Sequence, residues 1–186
     1  MKIIFLGPQG SGKSTQAKLI SDQLKLPYLE AGQLLRDRAT QNDDLGKRIK
    51  SVLDAGHLVD DKITIGIIKD NIRSKGTKGY LLDGFPRNEV QYNALDSKVD
   101  LVFYVKVSDK EAIRRLMLRG RSDDANEALK KRLEIYHKQT EPLISKFASR
   151  KILKEIDGDR PVENIHEDIS RIVKSYQKDH EPTKDQ

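Results

Sequence analysis

Cysteine and tryptophan are absent from this chain of 186 residues, and methionine occurs only twice. Without thiols there can be no disulfide framework and no thiolate-bound metal. Aromatic residues are scarce too, at 5%, which leaves little for stacking the bases of a nucleic acid. Long hydrophobic runs are missing: every apolar stretch is far shorter than the roughly 20 residues needed to span a bilayer. The first strand-like segment stands at the start of the chain, so neither a signal nor a transit peptide is expected, and the cytoplasm is the default residence. Charge, by contrast, is abundant, at 34% of residues with a net value of +6. Basic residues are scattered among acidic ones rather than gathered into a stripe. That pattern speaks for an anionic small molecule and against a nucleic-acid partner. His57, His137, His166 and His180 lie far apart, without ligand spacing. No repeat or low-complexity segment is visible, and the length suits one compact domain with room for a small mobile insertion.

What is present centres on one stretch. Gly7-Pro8-Gln9-Gly10-Ser11-Gly12-Lys13-Ser14-Thr15 follows the apolar run Lys2-Ile3-Ile4-Phe5-Leu6 and precedes residues 16–24, which have amphipathic helical spacing. Strand, glycine-rich turn, Lys-Ser and helix make a phosphate-binding loop in its required context. The glycines let the backbone curl so that several N–H groups converge on an anion. The helix N-terminus adds its positive dipole end. Lys13 is spaced to reach β- and γ-phosphates, and the Ser14 hydroxyl to hold Mg²⁺. A dinucleotide fingerprint is excluded, because Thr15 stands where its third glycine should be.

Along the rest of the chain short apolar runs alternate with helical stretches. Further strands are expected at 26–29, 79–84, 101–105 and 151–156. Helices are expected at 33–40, 45–54, 61–72, 88–95 and 109–118. Another should run through Leu129, Leu133 and Tyr136 until Pro142 breaks or kinks it, and a last one should span 162–176 before a frayed tail at 177–186. This alternation predicts an α/β fold, a three-layer sandwich whose five-stranded parallel sheet carries helices on both faces. Ligands of such sheets sit at the carboxyl ends of the strands. The phosphate loop and the turn Asp83-Gly84-Phe85-Pro86-Arg87 both fall there, so they are expected to face one crevice.

Asp83 ends an apolar strand, where a carboxylate can hold Mg²⁺ directly or through water; it can equally cap a turn. Arg36, Arg87, Arg119, Arg121 and Arg132 each lie beside a turn or on a helix flanking one. Phosphoryl transfer needs several guanidiniums, since charge spreads over the equatorial oxygens and arginine forks clamp phosphates bidentately. No obvious general base accompanies them. A phosphate acceptor is already an anion, so positioning and charge neutralisation suffice. Such chemistry must exclude water, and residues 119–126, with Gly120 as pivot and Asp123-Asp124 as arginine partners, make a candidate short cover.

Taken together, these residues resemble the nucleoside monophosphate kinases, the short-lid adenylate kinases in particular, from Met1 to about Tyr176. The similarity rests on the phosphate loop, on Gly32-Leu35-Arg36, on Gly56-His57-Leu58-Val59, and on the stretch 79–87 followed by Gln91. It extends to Gly120-Arg121-Ser122-Asp123-Asp124, Lys131-Arg132-Leu133, Glu141-Pro142-Leu143-Ile144 and Ile156-Asp157-Gly158. The resemblance implies a P-loop NTPase fold with a core at 1–29, 60–118 and 127–176, an acceptor-binding flap at 30–59 and a lid at 119–126. It implies that Gly10, Ser11, Gly12, Lys13, Ser14 and Thr15 hold the phosphates of ATP, with Arg119 and the Arg160 backbone at its adenine. The acceptor would meet Ala31, Arg36, His57, Leu58, Val59, Gly84, Phe85, Pro86, Arg87 and the Gln91 amide, with Arg121 and Arg132 bridging the phosphates. Lys13, Arg87, Arg121 and Arg132 would be catalytic, Ser14 and Asp83 would attend Mg²⁺, and no zinc or macromolecular partner is implied for a monomer. Adenylate kinases usually carry threonine in place of Ala31 and an acid in place of Gln33; UMP/CMP kinases have the alanine. Gln91 and the short lid weigh toward AMP as acceptor, leaving UMP or CMP as the alternative and a phosphate-loop switch ATPase as the reading from another class.

Overall fold

The computed structural model describes residues 1–76, 79–96, 98–119 and 126–180. Five strands form one parallel sheet: β1 (Lys2–Leu6), β2 (Tyr28–Glu30), β3 (Tyr80–Asp83), β4 (Leu101–Lys106) and β5 (Leu153–Asp157), in the order β2-β3-β1-β4-β5. The register pairs Phe5 with Asp83 on one side and with Phe103 on the other. The phosphate loop therefore leaves the central strand beside the end of β3. Period-two alternation sorts the strand residues onto two faces. Ile3, Phe5, Leu81, Phe103 and Val105 pack against α1 (Lys13–Leu24) and α9 (Val162–Asp179) through Ala17, Ile20, Ile165, Ile169 and Val173. Ile4, Leu82 and Val102 face the opposite way, onto Ile68 of α4 (Asp61–Ser74) and onto Leu143 and Phe147 of α8 (Leu143–Ser149). Helix, sheet and helix give the expected three layers.

The remaining helices are α2 (Ala31–Ala39), α3 (Asp44–Asp54), α5 (Glu89–Asn93), α6 (Asp109–Arg119) and α7 (Asn126–Ile135). α2 and α3 carry a small separate cluster in which Leu35, Ile49 and Val59 are the buried members. Side-chain caps begin several of the described helices: Asp43 accepts from the Gly46 amide, Asp60 from Lys62 and Ile63, Asn88 from Gln91, and Ser108 from Glu111.

Several boundaries differ from expectation for identifiable reasons. β2 starts at Tyr28, later than position 26, because Pro27 has no N–H for the ladder; its carbonyl still accepts from Leu81 at 2.8 Å. α9 extends to Asp179, so residues 177–179 belong to a helix whose buried stripe, Ile165, Ile169 and Val173, anchors it from within. After α7 the chain widens into a π-helical turn, Tyr136–Thr140, closed by a bond of 2.9 Å from the Glu141 amide to the Tyr136 carbonyl. Pro142 follows and, rather than merely ending a helix, opens α8, a position where its missing N–H is no loss.

Candidate active site

The phosphate loop curls from β1 over the N-terminus of α1. The Ser11 amide donates to the Pro8 carbonyl at 3.2 Å, and Lys13 Nζ reaches back to the same oxygen at 3.1 Å. Gly10 has a φ of +85°, and a Cβ there would lie 2.5 Å from the Ala112 carbonyl oxygen, so only glycine fits between the loop and α6.

A cleft of about 410 Å³ opens at this end of the sheet. Gly10, Gly12, Lys13, Ser14 and Thr15 line it from the loop, Gly32 and Arg36 from α2, and His57 and Leu58 from the segment after α3. Asp83, Gly84, Pro86 and Arg87 line it beyond β3, and Arg132 from α7. Ser11, Ala31, Val59, Phe85 and Gln91 do not: all five are buried behind its walls. Gln91 faces inward, where Oε1 accepts from the Arg87 amide at 2.8 Å and Nε2 donates to Asp61 at 2.9 Å. Its amide is thus engaged within the protein rather than offered to a base. Arg160 stands apart, between β5 and α9, with Nη2 donating to Asp168 at 2.6 Å. Arg121 and the rest of the expected cover at 120–125 lie outside the described residues, as does the side chain of Arg119.

Of the guanidiniums that line the cleft, those of Arg36, Arg87 and Arg132 feel one another's charge. Arg36 donates to Glu30 at 2.9 Å and to Gln33 at 3.0 Å. Arg87 is fixed at both ends: Nε donates to the Gly84 carbonyl at 2.7 Å, while its own carbonyl accepts from Thr140 Oγ1 at 2.7 Å. Arg132 donates to the Leu53 carbonyl at 3.2 Å. Burial pulls the Arg87 pKa below its ordinary value; Asp83 and Glu30 oppose that, and the like charges of Arg132 and Arg36 add to it. An anion set among the three would relieve their crowding.

Asp83 is buried at the end of β3. Its Oδ2 accepts from the Tyr28 hydroxyl at 2.8 Å, whereas its Oδ1 has no hydrogen-bond partner. Burial first, then the carboxylates of Asp83 and Glu30, push the Tyr28 phenol well above its ordinary range, so it stays a donor. An orphaned buried carboxylate oxygen and the Ser14 hydroxyl, from two residues that line the same cleft, are a hard-oxygen donor set that fits Mg²⁺. Among the described residues no group of three or more acids and histidines could cage a metal.

The family model described as Adenylate kinase matches residues 5–152. An adenylate kinase of Prochlorococcus marinus strain MIT 9301 is 40% identical over 176 residues, covering 91% of this chain and 96% of that protein. Those of Thermobifida fusca, at 36% over 187 residues, and Methanothrix thermoacetophila, at 35% over 215, cover 94% and 95% of the chain and 99% and 100% of themselves.

The chain belongs to the adenylate kinase family.

It is accordingly a P-loop NTPase and a nucleoside monophosphate kinase, a phosphotransferase. Of the arginines that residue spacing singled out, Arg36, Arg87 and Arg132 line this cleft. Other groups in the cleft of this adenylate kinase had not been singled out. Glu30, Lys18 and Arg115 line it as well, Arg115 anchored by Glu111 at 2.6 Å and by the Gly158 carbonyl at 3.0 Å. Glu30 could have been found by the rule that located Asp83, since it too ends a strand. Tyr28 gives no signal until the β2–β3 register is known. Among the described residues, no helix is long and apolar enough to cross a membrane.

Proposed function

We propose that this enzyme transfers the γ-phosphoryl group of ATP to AMP, yielding two ADP, as a cytoplasmic monomer using Mg-ATP. The bond from Pγ to the β,γ-bridging oxygen breaks, and one from an AMP phosphate oxygen to Pγ forms. The observation that carries this reading is the convergence of Lys13, Arg36, Arg87 and Arg132 on one cleft with the phosphate loop.

In this reading Gly10, Ser11, Gly12, Ser14 and Thr15 cradle the donor phosphates through backbone amides, and Lys13 spans the β- and γ-phosphates. Arg36 and Arg87 clamp the acceptor phosphate, while Arg132 and Arg121 bridge to the transferring group and neutralise charge that grows in the transition state. Arg119 and Arg160 attend the donor adenine. Mg²⁺ would be held by Ser14 and, through water, by Asp83, and bound there it offsets charge on the nucleotide phosphates. Residues 30–59 act as the acceptor flap and 119–126 as the lid that excludes water. His57, Leu58, Val59, Gly84, Phe85 and Pro86 shape the acceptor site, in part through backbone. Gln91 braces Arg87, and would have to release it in order to read a base.

AMP is favoured over UMP or CMP by the names of the relatives. Ala31, the residue that leaned toward pyrimidines, is buried away from the cleft. The deciding experiment supplies purified protein and Mg-ATP with AMP, UMP, CMP, GMP and dTMP separately and follows diphosphate formation. AMP should be preferred at least about tenfold in kcat/KM, a margin of roughly 1.4 kcal/mol. Faster use of UMP or CMP overturns the acceptor assignment, and steady ATP hydrolysis without any monophosphate overturns the kinase reading in favour of a switch ATPase.

A further inference from the structure

β2 and β3 run parallel with Tyr28 opposite Leu81 and Glu30 opposite Asp83. Tyr28 and Asp83 therefore share the sheet face covered by α1, whose N-terminus carries Ser14. The Tyr28 ring is fixed there: it packs against the first core cluster, and Lys18 Nζ lies over it at 5.7 Å from the centroid. Its hydroxyl donates to Asp83 at 2.8 Å, closer than the 3.2 Å to Glu30. The phenol thus touches the carboxylate assigned to Mg²⁺. It occupies Oδ2 of the carboxylate and leaves Oδ1 uncommitted.

We infer that Tyr28 is a positioning residue for the metal-holding carboxylate, fixing Asp83 through Oδ2 so that the other oxygen is kept for Mg²⁺ and its waters. The inference rests on the assignment of Asp83 above. Such outer partners orient a ligand and hold its charge in place, and their loss typically weakens metal affinity by 10- to 100-fold. The effect should fall on the metal and on kcat more than on AMP binding, because Arg87 and Arg132 are held by the Gly84 and Leu53 carbonyls and Arg36 meets the phenol through the longer contact to Glu30.

The test compares wild type, Tyr28→Phe and Asp83→Asn. Mn²⁺ affinity of the enzyme–ATP complex is read by electron paramagnetic resonance, ATP affinity in EDTA by calorimetry, and KM for AMP by steady-state kinetics. Tyr28→Phe keeps the ring and should weaken Mn²⁺ about tenfold, with metal-free ATP affinity and KM for AMP within about twofold. Asp83→Asn should weaken Mn²⁺ at least as much. Unchanged Mn²⁺ affinity in Tyr28→Phe alongside a loss in Asp83→Asn overturns the role of Tyr28 alone. Unchanged affinity in Asp83→Asn overturns the metal assignment and the inference with it. A parallel fall in all three quantities in Tyr28→Phe, with a lowered thermal midpoint, marks a merely structural residue and also overturns the inference.

Discussion

The two sides of the cleft are built on unequal foundations. The phosphate loop and Asp83 hang from strands enclosed by two core clusters, one of which includes Ile3, Phe5 and Phe103 at 0% exposure. The segment of α2 and α3, the proposed acceptor flap, rests on a small cluster whose buried members are Leu35, Ile49 and Val59. Groups that must hold still while charge moves therefore sit on the part with most apolar burial. On the proposed function, the part that admits the acceptor sits where local opening costs least. In this structure the flap also leans on α7: Arg132 reaches the Leu53 carbonyl, and Gly56, at a φ of +75°, passes so close to Ala128 that a Cβ would come within 2.8 Å of its carbonyl oxygen.

This contrast can be broken or sharpened experimentally. On the rigid side, Lys13→Met should cost the most, a fall in kcat of about a thousandfold or more, since it removes charge stabilisation at the transferring group. The thermal midpoint should stay near that of wild type, and retention of turnover would remove Lys13 from its role. Next comes Arg87→Ala, expected to lower kcat/KM by about 10²- to 10³-fold, with product-inhibition patterns locating the defect on the acceptor side.

Truncation tests the flap directly. Ile49→Ala should destabilise its small cluster by about 2–4 kcal/mol. Hydrogen exchange should then accelerate in α3 and leave β1 and β4 protected; equal acceleration in all three would show that the flap is not an independent unit. Gly56→Ala should raise KM for AMP a few-fold, because a left-handed backbone for a non-glycine residue costs about 1–2 kcal/mol and the new methyl strikes α7.

The smallest effect is expected at an exposed histidine that does not line the cleft. His137 is hydrogen-bonded to Glu141 at 2.8 Å and to Asp109 at 3.0 Å, and Glu141 chiefly raises its pKa above the ordinary 6.5. A group whose folded-state pKa is raised gives stability that is complete below 6.5 and lost as pH climbs through the higher folded value. His137→Gln should flatten that shallow decline in thermal-unfolding midpoints measured across the same pH window.

Sequence patterns reached the rigid side more fully than the flap and its surroundings. The loop is a local motif, and Asp83 is marked by ending an apolar run, so both were legible from spacing. Tyr28 was not, because its partner lies 55 residues away and meets it only through strand register. Gln91 was identified as a polar residue near the acceptor, but whether an amide faces outward or into Asp61 depends on how α5 docks against α4. Arg115 was passed over for Arg119, one turn further along α6, since the reach of a helical arginine is decided by the packing of its helix. The helix after Pro142 was missed because seven residues carry too little periodicity to declare themselves.

The wide turn at Tyr136–Thr140 has a consequence of its own. One surplus residue in a helical path advances everything downstream by about 100° around the axis. Thr140 meets the Arg87 carbonyl only in that advanced phase. Deleting a single residue between 136 and 140 would leave most of the helical bonding intact yet swing this hydroxyl to another azimuth. The arginine would then lose an anchor through a fault of angle rather than of composition.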